Sequence, residues 1–221
     1  IHESTSPSSA LARLGGPARR REHGETARGG ALPQVIASAR IDNLEEVART
    51  LGARPAGGDG QDLDPETLIG ALIRRHGPDW PRFLLGDFAI AAWDERTATL
   101  TLARDPMGLR PLYYRAEPDR LLFASEIKQI LAVAGVPARL FEPAVVAHLA
   151  ERPRPPDWTF YEGIRELPAG HVLRADADGV VVHRYPALDL SERIRLGSEE
   201  EYVERFRGEI DGLKAELEGG G

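Results

Sequence analysis

No cysteine occurs among the 221 residues. That absence excludes disulfides, thiolate metal sites and a cysteine nucleophile within this sequence, while leaving the redox compartment open. Long apolar runs are lacking as well. No stretch approaches the roughly 18 residues that span a bilayer, and the opening IHESTSPSSALARLGGPARRRE has no hydrophobic centre of the kind a secretory leader needs. A soluble chain, expected in the cytoplasm and without a membrane partner, is the reading. A surplus of positive charge is also absent: 28 basic residues stand against 35 acidic ones, for a net charge of -7. Binders of phosphate backbones usually carry a basic stripe, so nucleic acid is not an expected partner. The six histidines, His2, His23, His76, His148, His171 and His183, include no pair at the i, i+4 spacing that sets two imidazoles on one helical face, and no metal site is expected. The glycine pairs beginning at Gly15, Gly29 and Gly57 fall in turn-like stretches rather than between a strand and a helix, which excludes a phosphate-cradling loop there.

What is present suits one soluble domain or one and a half, with 42% hydrophobic and 29% charged residues. Residues 1–34 are rich in Gly, Ser, Pro, Ala and Arg and show no helical or strand period; they read as a poorly ordered or remnant segment. Val35 to Ile41 has strand character, and Asp42 or Asn43 caps a helix from Leu44 to Leu51. Asp64 before Pro65, followed by Leu68, Ile69, Leu72 and Ile73, predicts an N-capped amphipathic helix from Pro65 to Arg75, ended by Gly77-Pro78. FLLGDFAIAAWD and TLTLAR read as a hairpin, and residues 111–115 pair with 121–125 around AEPD. Helices are expected over 126–133 and 143–151, strands over 170–175 and 180–185, and a last helix over 198–217 with Tyr202, Phe206 and Ile210 on one stripe. Short turns between strands imply antiparallel sheets with helices packed outside, an α+β fold.

The stretch ARDPMGLRPLYYR, residues 103–115, is the densest motif. Pro106 and Gly108 suit a tight turn, Pro111 a strand start, and Tyr113 and Tyr114 opposite faces of that strand. Arg104 and Asp105 are placed to pair across the turn, and Arg110 to cap nearby carbonyls. With its neighbours, Gly86-Asp87-Phe88, Ala124-Ser125-Glu126-Ile127-Lys128 and the linker FYEGIRELPAGHVL, this stretch resembles the class II glutamine amidotransferase domain, the N-terminal-nucleophile glutaminase that opens asparagine synthetases. Similar loops occur in phosphoribosylpyrophosphate amidotransferases. The resemblance covers about residues 35–218 and implies a four-layer αββα sandwich of two antiparallel sheets, here incomplete at the N-terminus. It divides the chain into the N-terminal segment 1–34, an amidotransferase-like domain over 35–190, and a linker with the first helix of an ATP-dependent synthetase domain over 191–221.

In working members an N-terminal cysteine attacks the glutamine amide with its own α-amine as base. No cysteine is available here, and Ser4, Thr5 and Ser6 are not terminal, so no catalytic residue is assigned. The Asn-Gly of the family's oxyanion hole is replaced by Ser38-Ala39, at a cost of roughly 3 kcal/mol by analogy with other oxyanion holes. Asp64 falls where the family places the acid that holds the glutamine amine, although it reads equally as a helix cap. Asp64, Ser38 and Ala39 thus mark a vestigial glutamine site, and Arg104, Asp105, Gly108 and Pro111 a structural loop. The pyrophosphate loop of working synthetases is only approached by LKAELEGGG, so no cofactor is expected in this chain; ATP and Mg2+ belong to the synthetase domain, in cis or in trans. The wording is as near to lasso-peptide cyclases and β-lactam synthetases as to asparagine synthetases. The expected function is that of an inactive glutaminase domain serving as structural partner of a carboxylate-adenylating synthetase, with a homodimer as a further expected assembly. A stand-alone binding or scaffolding module is the alternative.

Overall fold

The computed structural model describes residues 10–12, 32–52, 64–185 and 193–219. The chain divides into two units, Ile1–Ala187 and Leu188–Gly221.

Among the described residues of the first unit, nine strands form two antiparallel sheets. One has the order β2 (Gln34–Ile41), β3 (Gly86–Asp94), β4 (Thr99–Arg104), β8 (His171–Asp176), β9 (Gly179–Arg184); the other has the order β1 (Ala10–Ala12), β6 (Leu121–Ala124), β5 (Tyr113–Ala116), β7 (Arg165–Glu166). The period-two alternation of β3 sorts its side chains between two apolar layers. Phe88, Ile90 and Ala92 pack with Leu68, Ile69 and Leu72 of α2 (Pro65–His76) and with Val47 and Ala48 of α1 (Leu44–Leu51). Ala89 and Ala91 turn the other way, onto a layer shared with Leu102 of β4, Tyr114 of β5, Phe123 of β6 and Leu173 of β8. The far face of the second sheet, through Leu122, Ala124 and Tyr113, meets Ile127, Ile130 and Leu131 of α3 (Ile127–Leu131). Helix, sheet, sheet and helix therefore succeed one another, which is the αββα order. Each fully buried Phe or Ile in these layers contributes about 1.5–3 kcal/mol relative to exposure.

Local sequence chemistry accounts for most boundaries. Asp64 caps α2, its Oδ2 accepting from Thr67 N at 3.3 Å and from Thr67 Oγ1 at 3.2 Å, with Pro65 at the first helical position. Arg74, Arg75 and His76 in the last turn complement the helix dipole. Gly77-Pro78 ends α2, as expected, and the chain continues from there as a 3₁₀ helix, Gly77–Phe83, which drives Trp80 fully into the core. Asn43 occupies the N-cap position of α1 without capping it. Its amide instead clamps the approach to β3, donating to Phe83 O at 3.0 Å and accepting from Leu85 N at 2.9 Å. Gly86 is required at the entry to β3, where φ is +130° and a Cβ would overlap the Arg40 carbonyl of β2.

Several expectations are corrected. Ala10–Ala12 forms a strand against Leu121–Phe123, inside a segment read as lacking strands; the remainder of residues 1–31 lies outside the described residues. β5 begins at Tyr113 rather than Pro111, and α3 is shorter than the 126–133 expected. FYEGIRELPAGHVL is not a linker leading away from the domain: Arg165 and Glu166 form β7 on Tyr114 and Tyr113, and His171 opens β8 within the first sheet. α4 (Glu142–Leu149) follows α3, with Ala144 buried.

In the second unit α5 (Glu199–Gly219) starts on a capping pair, Ser198 Oγ accepting from Glu201 N at 3.3 Å while the Glu201 carboxylate accepts from Gly197 N at 2.8 Å. Tyr202, Phe206 and Ile210 line one stripe of it and are exposed.

Candidate functional site

The stretch 104–110 leaves β4 at one end of the first sheet. Arg104 is the last residue of the strand and is paired in register with Ala89 of β3, which in turn opposes Ser38 of β2. Asp105 N donates to Phe88 O at 2.9 Å, and Phe88 opposes Ala39. Ser38, Ala39 and the loop thus share one end of the sheet, with β3 between them.

Arg104 and Asp105 are both buried, at 7% and 0% exposure. They do not pair with each other, contrary to the simplest reading of the motif, because successive residues of a strand point to opposite faces. The Arg104 guanidinium spreads over four acceptors: Nε donates to Arg110 O at 2.7 Å, Nη1 to Glu166 Oε1 at 2.6 Å and Leu167 O at 2.7 Å, and Nη2 to Gly108 O at 2.8 Å. One side chain therefore ties the end of the first sheet to β7 of the second. The Asp105 carboxylate accepts three backbone N–H groups, Met107 and Leu109 at 3.0 Å on Oδ1 and Arg110 at 3.1 Å on Oδ2. Its carbonyl accepts from Gly108 N at 3.1 Å and Gly170 N at 2.9 Å. The loop is organised around an anion, as an anion-binding nest would be, but the anion is its own.

Gly108 holds φ at +69°, and a Cβ there would stand 3.0 Å from Ala169 Cβ and 3.3 Å from Arg104 Nη2. Pro111 is exposed, not part of a buried turn, and Arg110 serves through its backbone rather than by capping carbonyls with its guanidinium. Tyr185, fully buried at the end of β9, donates its hydroxyl to Arg104 O at 2.8 Å. Burial, reinforced by the Asp105 charge, pushes that phenol above its usual range. The Tyr113 hydroxyl is raised by burial and then by Glu166. Glu166, Leu167, Gly170 and Tyr185 escaped sequence reasoning as partners of the loop, although the first three lie in the quoted FYEGIRELPAGHVL and its continuation.

The three residues read as a vestigial glutamine site are not joined. Ser38 lies on the inter-sheet side of β2, as its pairing with Ala89 requires, yet it is exposed, as is Ile36 at 47% on the same side, so the second sheet leaves this corner uncovered. Ala39 is exposed on the opposite side. Asp64 sits at the start of α2 with its carboxylate turned to its own helix, and among the described residues no hydrogen bond links it to Ser38 or Ala39. Among the described residues no group of three or more His, Asp or Glu side chains is arranged to hold a metal ion. Nor is any helix there long and apolar enough to cross a membrane.

A family profile described as a glutamine amidotransferase domain matches residues 35–186. Among curated proteins the chain is 33% identical over 152 residues to asparagine synthetase [glutamine-hydrolyzing] 3 of Bacillus subtilis, an alignment covering 68% of this chain and 24% of that protein. It is 36% identical over 110 residues to amidase chry2 of Gibberella zeae, covering 50% of this chain and 16% of that protein. The chain thus spans at most about a quarter of the length of these relatives. Among solved structures it is similar to the glutamine phosphoribosylpyrophosphate amidotransferase of B. subtilis complexed with ADP and GMP, at 21% identity and a TM-score of 0.45 over 68% of this chain and 28% of that one. With the profile spanning β2 to the end of β9, and the GDF, RDPMGLRP and ASEIK stretches set into an αββα sandwich, the chain belongs to the class II glutamine amidotransferase domain family, in the form found in asparagine synthetases.

Proposed function

We propose that this domain has kept the amidotransferase fold without glutaminase activity and acts as the structural partner of a synthetase domain that adenylates a carboxylate. The observation that carries the reading is the state of the groups the family uses around its amide substrate, within 221 residues that hold no cysteine. Asp64 is committed to its helix, Ser38 presents a hydroxyl where the family uses an amide donor, the Arg104 charge is taken by Glu166 of β7, and the Asp105 charge by the loop's own backbone N–H groups. None of these has a free charged valence to turn toward an amide substrate. Relatives named as glutamine-hydrolyzing asparagine synthetases support a synthetase domain as partner, in cis or in trans. ATP and Mg2+ would belong to that partner, and the described residues supply no acidic cluster for the metal. Within this class the amine acceptor would be an internal or peptide amine, as in lasso-peptide cyclases and β-lactam synthetases, because ammonia is not generated.

The test is direct. The chain incubated with glutamine should release neither ammonia nor glutamate above blank, and added ammonium should not be needed for any ligation by its synthetase partner. Glutamine turnover that co-purifies with this chain through two columns would sink the proposal. Failure of any ATP-dependent ligase to associate with it would favour a stand-alone scaffolding module.

A further inference from the structure

Past the last turn of α2 the outer face of the five-stranded sheet runs on, and a cavity of about 390 Å³ opens over it, walled on one side by Ile73 and Pro78. Strand alternation and register decide what it presents. Ala92, Thr101, Arg174 and Val181 stand in one row across β3, β4, β8 and β9. Asp94 and Thr99 oppose each other in the row toward the hairpin turn, and Val172 and His183 in the row toward the helices. The cavity lies at the end of β4 away from the loop 104–110 and on the side of the sheet away from the Ser38 corner, so it is a second site and not an extension of the first. Its floor of Ala92 and Val172 is buried and apolar, which favours an apolar body over water.

Polar groups with capacity to spare stand on either side of that floor. Asp94 Oδ1 accepts from Arg96 N at 2.9 Å, but Oδ2 meets only Arg96 Nη2, at 3.7 Å and on a side chain 70% exposed. Arg174 gives Nη2 to Asp176 at 2.6 Å and keeps the rest of its guanidinium. The His183 ring and the Thr101 hydroxyl, both half-buried, have no hydrogen-bond partner among the described residues. An ion of one sign gains at one end and is repelled at the other, since Asp176 stands beside Arg174 and Arg96 beside Asp94. A molecule carrying both signs gains at both ends.

We infer that this cavity binds a small apolar zwitterion, an α-ammonium and an α-carboxylate on an aliphatic body, as a free amino acid or a dipeptide presents them. The ammonium meets Asp94 Oδ2, the carboxylate takes Arg174 and His183, and the body rests on Ala92, Val172 and Ile73. Thr101, between the two ends, offers its hydroxyl to the middle of the ligand. Asp94 and Arg174 stand two strands and two residues apart, about 12 Å between Cα atoms by sheet spacing, which a ligand of one or two residues bridges once both side chains reach inward. The volume falls within the few hundred Å³ of small-ligand pockets.

Titration of the whole chain with leucine and with leucyl-leucine, followed by amide NMR shifts, tests the inference. At least one should bind saturably with a Kd of about 1 mM or tighter, and the tighter of the two tells amino acid from dipeptide. The shifts should centre on Thr99, Thr101, Arg174, Val181 and His183 and spare Asp105 to Arg110. N-acetyl-leucyl-leucine amide, which carries neither charge, should bind about tenfold more weakly or worse. Asp94→Asn keeps the acceptor for Arg96 N and should weaken binding of the free ligand about fivefold, as should Arg174→Gln at the other end. Neither side chain is buried, so thermal midpoints should stay near the parent's. No saturable shift with either probe to about 10 mM, equal binding of the capped peptide, or binding indifferent to both substitutions would each overturn the inference.

Discussion

Replacing Asp105 by Asn removes a charge and exchanges one acceptor oxygen for a donor, with almost no change of shape. Oriented to keep its oxygen on the Met107 and Leu109 N–H groups, the amide turns its NH2 toward Arg110 N, which the carboxylate now receives at 3.1 Å. Hydrogen bonds to a charged acceptor contribute about 1.5–3 kcal/mol each. One is lost outright and two are weakened, and the site is fully buried, so solvent does not compensate. The expected cost is about 3 kcal/mol, and Asp105→Ala, which orphans all three donors, should cost about 4–5 kcal/mol, at the upper end for single substitutions. Urea unfolding followed by tryptophan fluorescence suits the assay, since Trp80 and Trp93 report on the two layers around β3. The midpoint should fall with the slope unchanged, and thermal unfolding should shift down by about 6–12 °C for Asn. An Asn variant within about 0.5 kcal/mol of the parent, the range of an ordinary surface substitution, would refute the account of the loop as an anion-centred nest.

Three further substitutions probe the same junction. Arg104→Lys keeps the charge but cannot span Glu166, Leu167 O, Gly108 O and Arg110 O together; a loss of about 2–3 kcal/mol in denaturant unfolding is expected. Gly108→Ala forces a Cβ onto Ala169 and Arg104 at a positive φ and should cost about 2 kcal/mol by thermal melting, whereas the same change at an open helical glycine such as Gly212 should stabilise by about 0.5–1 kcal/mol. Tyr185→Phe removes the hydroxyl bond to Arg104 O and should cost about 1 kcal/mol at pH 8. The tyrosine's folded-state pKa is raised above its unfolded value near 10, so its contribution is complete below that value and is lost as pH climbs past it. Unfolding midpoints at pH 8 and pH 11 should therefore fall more steeply for the parent than for Tyr185→Phe; equal slopes would count against a buried, protonated phenol.

Much of the fold was legible because its signals are local. Asp64-Pro65 ahead of Leu68, Ile69 and Leu72 carries its cap and its apolar face within nine residues, and the alternation in GDFAIAAWD sorts β3 between two layers without reference to anything distant. The family signature was legible for the same reason, as a contiguous run of residue types. Of the three residues read as a vestigial glutamine site, Ser38 and Ala39 lie on different faces of β2 and Asp64 caps a helix, and which of those faces is covered was not legible because it depends on how the sheets stack.

From sequence alone came most of the layers' strands and helices, though not β1 or β7, the lack of cysteine in the given residues, and a loop built from Arg, Asp, Pro and Gly. Only the tertiary structure decided what that loop's charges do. Arg104 reaches Glu166 and Leu167, 62 and 63 residues on, and Tyr185 reaches back 81 residues to the Arg104 carbonyl. Adjacent residues of opposite charge suggest a pair, but strand geometry sends their side chains to opposite faces, and each then finds its partners where the folded chain brings backbone and carboxylate within hydrogen-bonding reach.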